Sequence, residues 1–199
     1  NLGPIMLDSR IKGSAGVALE KPRLAVITSE TGAQTLVNYS APECTSATVP
    51  TTAQIPTNTK RCMPVWYSSG TAAPTLQWFN KYVVTKVTDR DLTAYGDVNL
   101  TALGLDISAD VVTNYTYTGG GRRRANHPPM MKEKYRTWGE WRGYGKVTAA
   151  VGTGTTKSVT ETLYFRGMHG DKLASGTKSV SIVDSEGVSR VDEDWFAGM

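Results

Sequence analysis

The chain is poor in the residues from which most chemical sites are built. Histidine occurs only as His127 and His169, cysteine only as Cys44 and Cys62, and no CxxC pair is present. These four residues do not have the spacing of a zinc site, and no cofactor or metal is expected. No Gly-x-Ser-x-Gly, His-Glu-x-x-His or phosphate-loop pattern occurs, so an enzyme reading lacks a nucleophile, a base and an orienting group. His169, near Asp171, could be stretched into a general base or metal site, but it is flanked by Gly167 and Gly170 and reads more simply as a turn residue. The expectation is a non-enzyme.

Long apolar runs are missing too. None approaches the roughly 20 residues of a membrane helix, so no span is expected in this stretch. The formal charge is only +4, from 22 basic and 18 acidic residues. The basic residues are scattered apart from Arg122-Arg123-Arg124, which is too little to argue for nucleic acid. That triplet lies in a Gly-rich and Pro-rich loop and reads as a solvated charge run, with binding of an anion or guidance of an acidic partner as the alternative. No helix of three turns can be drawn, although Pro129–Arg136 could hold one turn, and no fixed-period repeat is present. The chain starts at Asn1 without Met and ends after Trp195-Phe196-Ala197-Gly198-Met199, which reads as a piece of a longer protein.

What is abundant is glycine, at 20 residues, together with serine and threonine, which favours short strands and turns. The fold class expected is all-β, with antiparallel hairpins forming a sheet segment of a larger β-shell; a β-sandwich is the alternative. Residues 1–22 read as an irregular lead-in, and residues 23–199 as one β-hairpin region with a stapled loop at 40–62. Leu24–Thr28, a turn with Gly32, and Gln34–Ser40 form a hairpin. Cys44 and Cys62 bracket a loop rich in Thr, Pro and Ala, whose Pro50 and Pro56 argue against a central strand. A disulfide joining them would restrict the unfolded chain by about 3 kcal/mol and would favour an oxidising, extracytoplasmic setting; two unrelated buried thiols are the alternative.

Further strands are expected at Cys62–Tyr67, at Leu76–Thr88 as one interior strand with apolar residues on both faces, and at Val111–Thr118. In Val111–Thr118, the side chains of Val111, Thr113, Tyr115 and Tyr117 share one side, the alternation of a half-buried strand. Thr101–Ala109 reads as a turn or loop and Gly119–Met131 as irregular. Lys134–Trp141, Tyr144–Val151, Ser158–Phe165, Lys178–Val183 and a return strand Val188–Val191 complete the pattern. Asn38-Tyr39-Ser40, Asn99-Leu100-Thr101 and Asn114-Tyr115-Thr116 match the glycosylation sequon, a short pattern that means little in a bacterial protein.

The most specific run is Tyr135–Val147, in which Tyr135, Trp138, Trp141 and Tyr144 alternate with cationic and small residues, and Gly143 and Gly145 flank Tyr144. Such a run suits strands whose aromatics pack over glycines, with Gly143 or Gly145 permitting a bulge or a close backbone approach. Alternatively, Trp138 and Trp141 could stack on sugar rings of a cell-surface glycan, as in an extracellular carbohydrate-binding β-sandwich.

The run, taken with Tyr115-Thr116-Tyr117, resembles the RHS/YD-repeat proteins, particularly the long secreted actinobacterial type, and more remotely the B-component region of Tc-type toxin complexes. The shared pattern is a Tyr-x-Tyr strand, an insert, an aromatic strand, and then the turn Arg142-Gly143-Tyr144-Gly145-Lys146-Val147. Asn58–Cys62, Trp78–Val84 and Leu163–Asp171 extend the resemblance over roughly residues 34–199. The repeat signature itself, with Tyr-Asp and Gly-Arg-Leu elements, is not in this stretch. The resemblance therefore implies a secreted, bacterial, non-catalytic segment preceding or joining the repeats of a toxin-associated shell. Its implied partners are flanking parts of the same parent chain and an enclosed C-terminal effector domain.

Overall fold

The structure, a computed structural model, describes residues 2–11, 19–68, 72–92, 109–124, 132–152 and 154–199. The chain is all-β. Seven strands form one antiparallel sheet: β1 (Leu2–Asp8), β2 (Glu20–Thr28), β3 (Ala33–Tyr39), β6 (Val84–Asp91), β7 (Val111–Arg123), β8 (Glu140–Val151) and β9 (Ser158–Leu163), in that spatial order. β4 (Cys62–Tyr67) pairs with β5 (Thr75–Asn80), and β10 (Ser181–Val183) with β11 (Ser189–Val191), in two small sheets. A single large sheet with two hairpins stands where a sandwich would need two facing sheets. Among the described residues, helical structure is confined to 3-10 turns at Thr52–Thr57, Glu133–Tyr135, Gly154–Thr156 and Asp194–Phe196. No helix there is long and apolar enough to cross a membrane.

Local signals account for the hairpins. β2 and β3 meet as expected, their turn closed by the Ser29 amide on the Ala33 carbonyl at 2.8 Å and by the Ala33 amide on Ser29 Oγ at 3.0 Å. The β10–β11 turn is held by Asp184, whose Oδ1 accepts from the amides of Glu186 and Val188 and whose Oδ2 pairs with Arg190 at 2.9 Å. This is the short-polar-side-chain mechanism by which Asp stabilises turns. In β7 the expected alternation holds from Thr113 onward, with Thr113, Tyr115 and Tyr117 half-buried and Asn114, Thr116 and Thr118 exposed, but Val111 is 51% exposed and Val112 half-buried, the reverse of the expected sides.

Several expectations need correction. The opening residues are not an irregular lead-in, because Leu2–Asp8 is an edge strand whose partner lies downstream, in register from Leu2 opposite Ile27 to Asp8 opposite Glu20. The register shifts between Gly3 and Pro4, and proline is tolerated at such an irregular edge because no central ladder bond is lost. Leu76–Thr88 is not one strand: it breaks at residues 81–83, so that β5 ends in a small sheet and β6 begins in the large one.

Three more differences concern the aromatic region. The stretch starting at Gly119 is strand as far as Arg123, not irregular, and Arg122 is buried, only 2% exposed, rather than a solvated charge. Lys134–Trp141 is not a strand either: a 3-10 turn at Glu133–Tyr135 leads through irregular backbone into β8 at Glu140. The run Arg142–Val147 is strand interior rather than a turn. The loop expected at Thr101–Ala109 lies outside the described residues except for Ala109, as do His127 and the last part of the insert before Met131, inclusive.

A small apolar core surrounds the disulfide. Cys44 and Cys62 are bonded, with Cα atoms 6.0 Å apart, and they bury Ile11 with Val49 and Trp78 packed against them. Asn80 locks the staple to β5: its Oδ1 accepts from the Cys44 amide at 3.2 Å and its Nδ2 donates to the Cys44 carbonyl at 3.0 Å. The Asn80 amide donates to the Ser9 carbonyl at 2.6 Å, and the Ile11 amide to the Trp78 carbonyl at 2.9 Å. The segment that continues β1 therefore crosses from the large sheet to the edge of β5, and the stapled loop is tied to both.

Candidate functional site

The residues singled out in the sequence converge only in part. β7 and β8 run side by side from Thr113 opposite Val151 to Arg123 opposite Glu140, and the register shifts between Gly120 and Arg122. Across that shift β7 advances two residues while β8 spends three, from Tyr144 to Trp141, so the extra residue bulges from β8. Gly143 sits in the bulge at φ +82°, and a Cβ there would meet nothing within 4 Å. Its glycine answers a conformational need rather than a lack of room. Gly120, the ladder partner of Tyr144, answers the reverse need: a Cβ would lie 3.0 Å from the Thr59 carbonyl oxygen and 3.1 Å from the Trp141 ring.

This close approach seats the stapled loop on an aromatic cluster. Tyr117 and Tyr144 have ring centroids 4.8 Å apart, and Trp141 meets Tyr144 edge-on at 5.0 Å. Arg122 is the cross-strand partner of Trp141, and its guanidinium lies 4.8 Å from the indole centroid; the Lys81 ammonium approaches the same ring at 5.6 Å. Trp141 is thus engaged by two cations and a phenol ring. The other members sit elsewhere. Tyr135 packs on Trp66 of β4 at 5.3 Å, while Trp138 donates its Nε1–H to the Lys172 carbonyl at 2.8 Å and lies under Arg124 at 5.7 Å. Tyr115 pairs with Ala149 further down the ladder. Gly145 lies against the Arg166 guanidinium, with an added Cβ falling 3.4 Å from Nε.

Arg122, Arg123 and Arg124 each go to a different destination. Arg123 donates to the carbonyls of Gly167 and His169 and approaches Asp194 at 3.6 Å. Asp194 also takes Arg142 at 3.1 Å, and Arg142 reaches Glu140 at 2.8 Å. Arg124 pairs with Glu133 at 2.6 Å, and its amide donates to Asp171 at 2.9 Å. Arg122 has only one hydrogen bond from its side chain, Nη1 to the Asn58 carbonyl at 3.3 Å; Nε and Nη2 are buried with no partner.

Burial governs the titration of this region. It pushes the Arg122 guanidinium down to about 10, against an upward pull from Glu43 and Tyr144, so Arg122 is still charged at neutral pH. Burial also lowers Lys81, helped by Arg23 and Arg122, and raises the phenols of Tyr117 and Tyr144. Two concavities flank Gly120. A cleft of about 580 Å³ is lined by Glu43, Arg61, Tyr117 and Tyr144, with Glu43 paired to Arg61 at 3.3 Å. A smaller cavity of about 160 Å³ lies against Arg122, Arg166, Lys178, Asn58, Gly121 and Met168.

Sequence reading missed the acids that organise this end of the molecule. Asp192 is fully buried, and Asp171 is nearly so with Lys178 at 2.6 Å. His169 is a turn residue, with its Nδ1 accepting from the Val180 amide at 3.4 Å. No motif marks Asp171 or Asp192, since their partners are backbone amides and a lysine brought near by folding; the one available signal was the Leu163–Asp171 run. The groups assembled here, guanidiniums, an ammonium, phenols and backbone carbonyls, are suited to packing and to neutralising an anion. Comparison of the chain with protein-family models, with curated proteins and with solved structures finds no match.

Proposed function

We propose that this chain is a non-catalytic structural segment of an exported RHS/YD-repeat protein, a length of β-sheet wall in a shell that encloses or presents a separate C-terminal effector domain. The observation that carries the reading is the open edge at β9. All six residues of Ser158–Leu163 are exposed, with Val159 at 50% and Leu163 at 41%. Among the described residues, β9 pairs with β8 alone, and β1 ends the sheet on the other side, pairing only with β2. Unpaired edges with exposed apolar side chains are templates for another strand, and monomeric proteins blunt or cover them.

The large sheet also buries little. Ile27 and Val111 are 38% and 51% exposed, Val151 is 41% exposed, and Val26, Leu36 and Val112 are half-buried. Apolar residues left open on both faces suit a wall with further chain on either side. Tyr117, Trp141 and Tyr144 serve in this reading as packing that seats the stapled loop on the wall. The Cys44–Cys62 disulfide fits an oxidising compartment.

Amide hydrogen exchange provides the test, run on the chain alone and on the same residues within the parent protein. In the parent, the outward amides of β1 and β9 should exchange at least tenfold more slowly, because neighbouring hairpins pair with them. Equal exchange in the two contexts would remove the wall reading.

A further inference from the structure

The cavity beside Arg122 sits where three distant stretches of chain meet: Pro56–Thr59 from the stapled loop, Gly120–Arg122 of β7, and the segment from Arg166 to Val180. Three cationic side chains border it, Arg122, Arg166 and Lys178. Two carboxylates stand behind them, and both are committed. Asp171 holds Lys178 at 2.6 Å and accepts from the Arg124 amide. Asp192 accepts from the amides of Arg166, Gly167 and Met168 and lies 4.0 Å from Arg166 Nε. Glu43, the acid that acts electrostatically on Arg122, is taken by the backbone amide and the guanidinium of Arg61.

Arg122 is therefore the odd charge. It is 2% exposed, its positive charge is paired with no carboxylate among the described residues, and two of its three nitrogens lack a hydrogen-bond partner. Stacking on Trp141 and one bond to a carbonyl do not replace a counter-ion, since a buried guanidinium without one is strongly disfavoured. The neighbouring Lys178 ammonium, already paired with Asp171, donates to the Arg122 carbonyl at 3.2 Å and is held beside the same cavity. A volume of about 160 Å³ is several times what one water requires.

We infer that this cavity is an oxyanion-binding site, in which a carboxylate or phosphate group bordered by Arg122, Arg166 and Lys178 supplies the negative charge that Arg122 lacks. The inference stands apart from the shell reading and holds or fails without it.

The test titrates the folded chain with sodium phosphate and, separately, sodium acetate at low ionic strength, by calorimetry and by the arginine Nε–Hε NMR signals. The expected result is one saturable event per chain with a moving Arg122 Hε resonance, and an affinity at least tenfold weaker in Arg122→Lys. Arg190→Gln, in the remote β11 strand, should bind as the unaltered chain does. Saturation by phosphate alone would identify a free or esterified phosphate as the ligand. Saturation by acetate would identify a carboxylate, such as an Asp or Glu side chain of a neighbouring segment. A folded chain that shows no saturable event and no movement of the Arg122 signal overturns the inference, as does an equal loss in Arg190→Gln. The measurement on the unaltered chain decides the matter even if Arg122→Lys fails to fold.

Discussion

The carboxylate of Asp192 accepts the backbone amide of Gly167 at 2.8 Å, and it fastens the final hairpin to the stretch that follows β9. The same Oδ1 takes the Arg166 amide at 2.8 Å and Oδ2 takes the Met168 amide at 3.1 Å, inside a site with no exposure to water. A carboxylate can accept all three bonds, whereas an amide of the same shape must turn an N–H₂ toward one of the donors. Asp192→Asn should therefore lower stability by about 1–3 kcal/mol. Urea unfolding followed by tryptophan fluorescence would measure it. An unchanged midpoint would mean that the three amides have other partners in solution.

The disulfide offers a second prediction. Cys44 and Cys62 are 18 positions apart, and their bond both closes a loop and forms the centre of the packing with Ile11 and Trp78. Replacing both with serine should cost about 3 kcal/mol by the loop-entropy estimate, before counting the hydroxyls left in an apolar site. Proteolysis should then cut first within residues 44–62. A loss under about 1 kcal/mol with that loop still resistant would show that Asn80 and the β4–β5 pairing hold it without the staple.

These two features differ in how far they could be read from the chain. The cysteine pair, the β2–β3 and β10–β11 hairpins and the strand Cys62–Tyr67 rest on signals within a few residues: alternation, turn glycines, and prolines that exclude a strand. The break at residues 81–83 carries no such mark. Lys81-Tyr82-Val83 is as strand-like as its flanks, and the chain changes sheet there among long-range bonds, Asn80 to Cys44 and Tyr82 Oη to the Asp8 carbonyl at 2.7 Å. Arg122 was misread for a related reason. A basic triplet beside glycines looks solvated until the β7–β8 register sets Trp141 opposite it. Leu2–Asp8 was hidden by Gly3 and Pro4, and it becomes a strand because β2 supplies a partner.

Alkaline titration probes the aromatic cluster directly. Burial raises the phenols of Tyr82, Tyr117 and Tyr144 above their usual value near 10. The folded chain thus keeps protons that the unfolded chain has already released, and stability should fall as pH rises from about 10 through the raised values. Below that window these groups contribute no pH dependence. The absorbance of ionised tyrosine should rise at higher pH in the folded chain than in the chain unfolded by urea. Tyr117→Phe and Tyr144→Phe should each remove amplitude from the late part of the curve; amplitude lost only from its early part would contradict burial of these phenols.

Gly120 and Gly143 both lie at the β7–β8 bulge, yet they should respond differently to an added methyl group. At Gly143 space is free and only the φ of +82° resists, so Gly143→Ala should cost about 1–2 kcal/mol, and Gly143→Asn less, because Asn tolerates that region. At Gly120 the obstacle is a backbone carbonyl at 3.0 Å and an indole at 3.1 Å, neither of which is the end of a flexible side chain. Gly120→Ala should cost about 1–3 kcal/mol by overpacking and, unlike Gly143→Ala, should displace the stapled loop. Cross-peaks between Thr59 and Trp141 in a nuclear Overhauser spectrum report that displacement. They should weaken in Gly120→Ala and persist in Gly143→Asn; weakening in both would mean that the bulge, rather than the close approach, seats the loop.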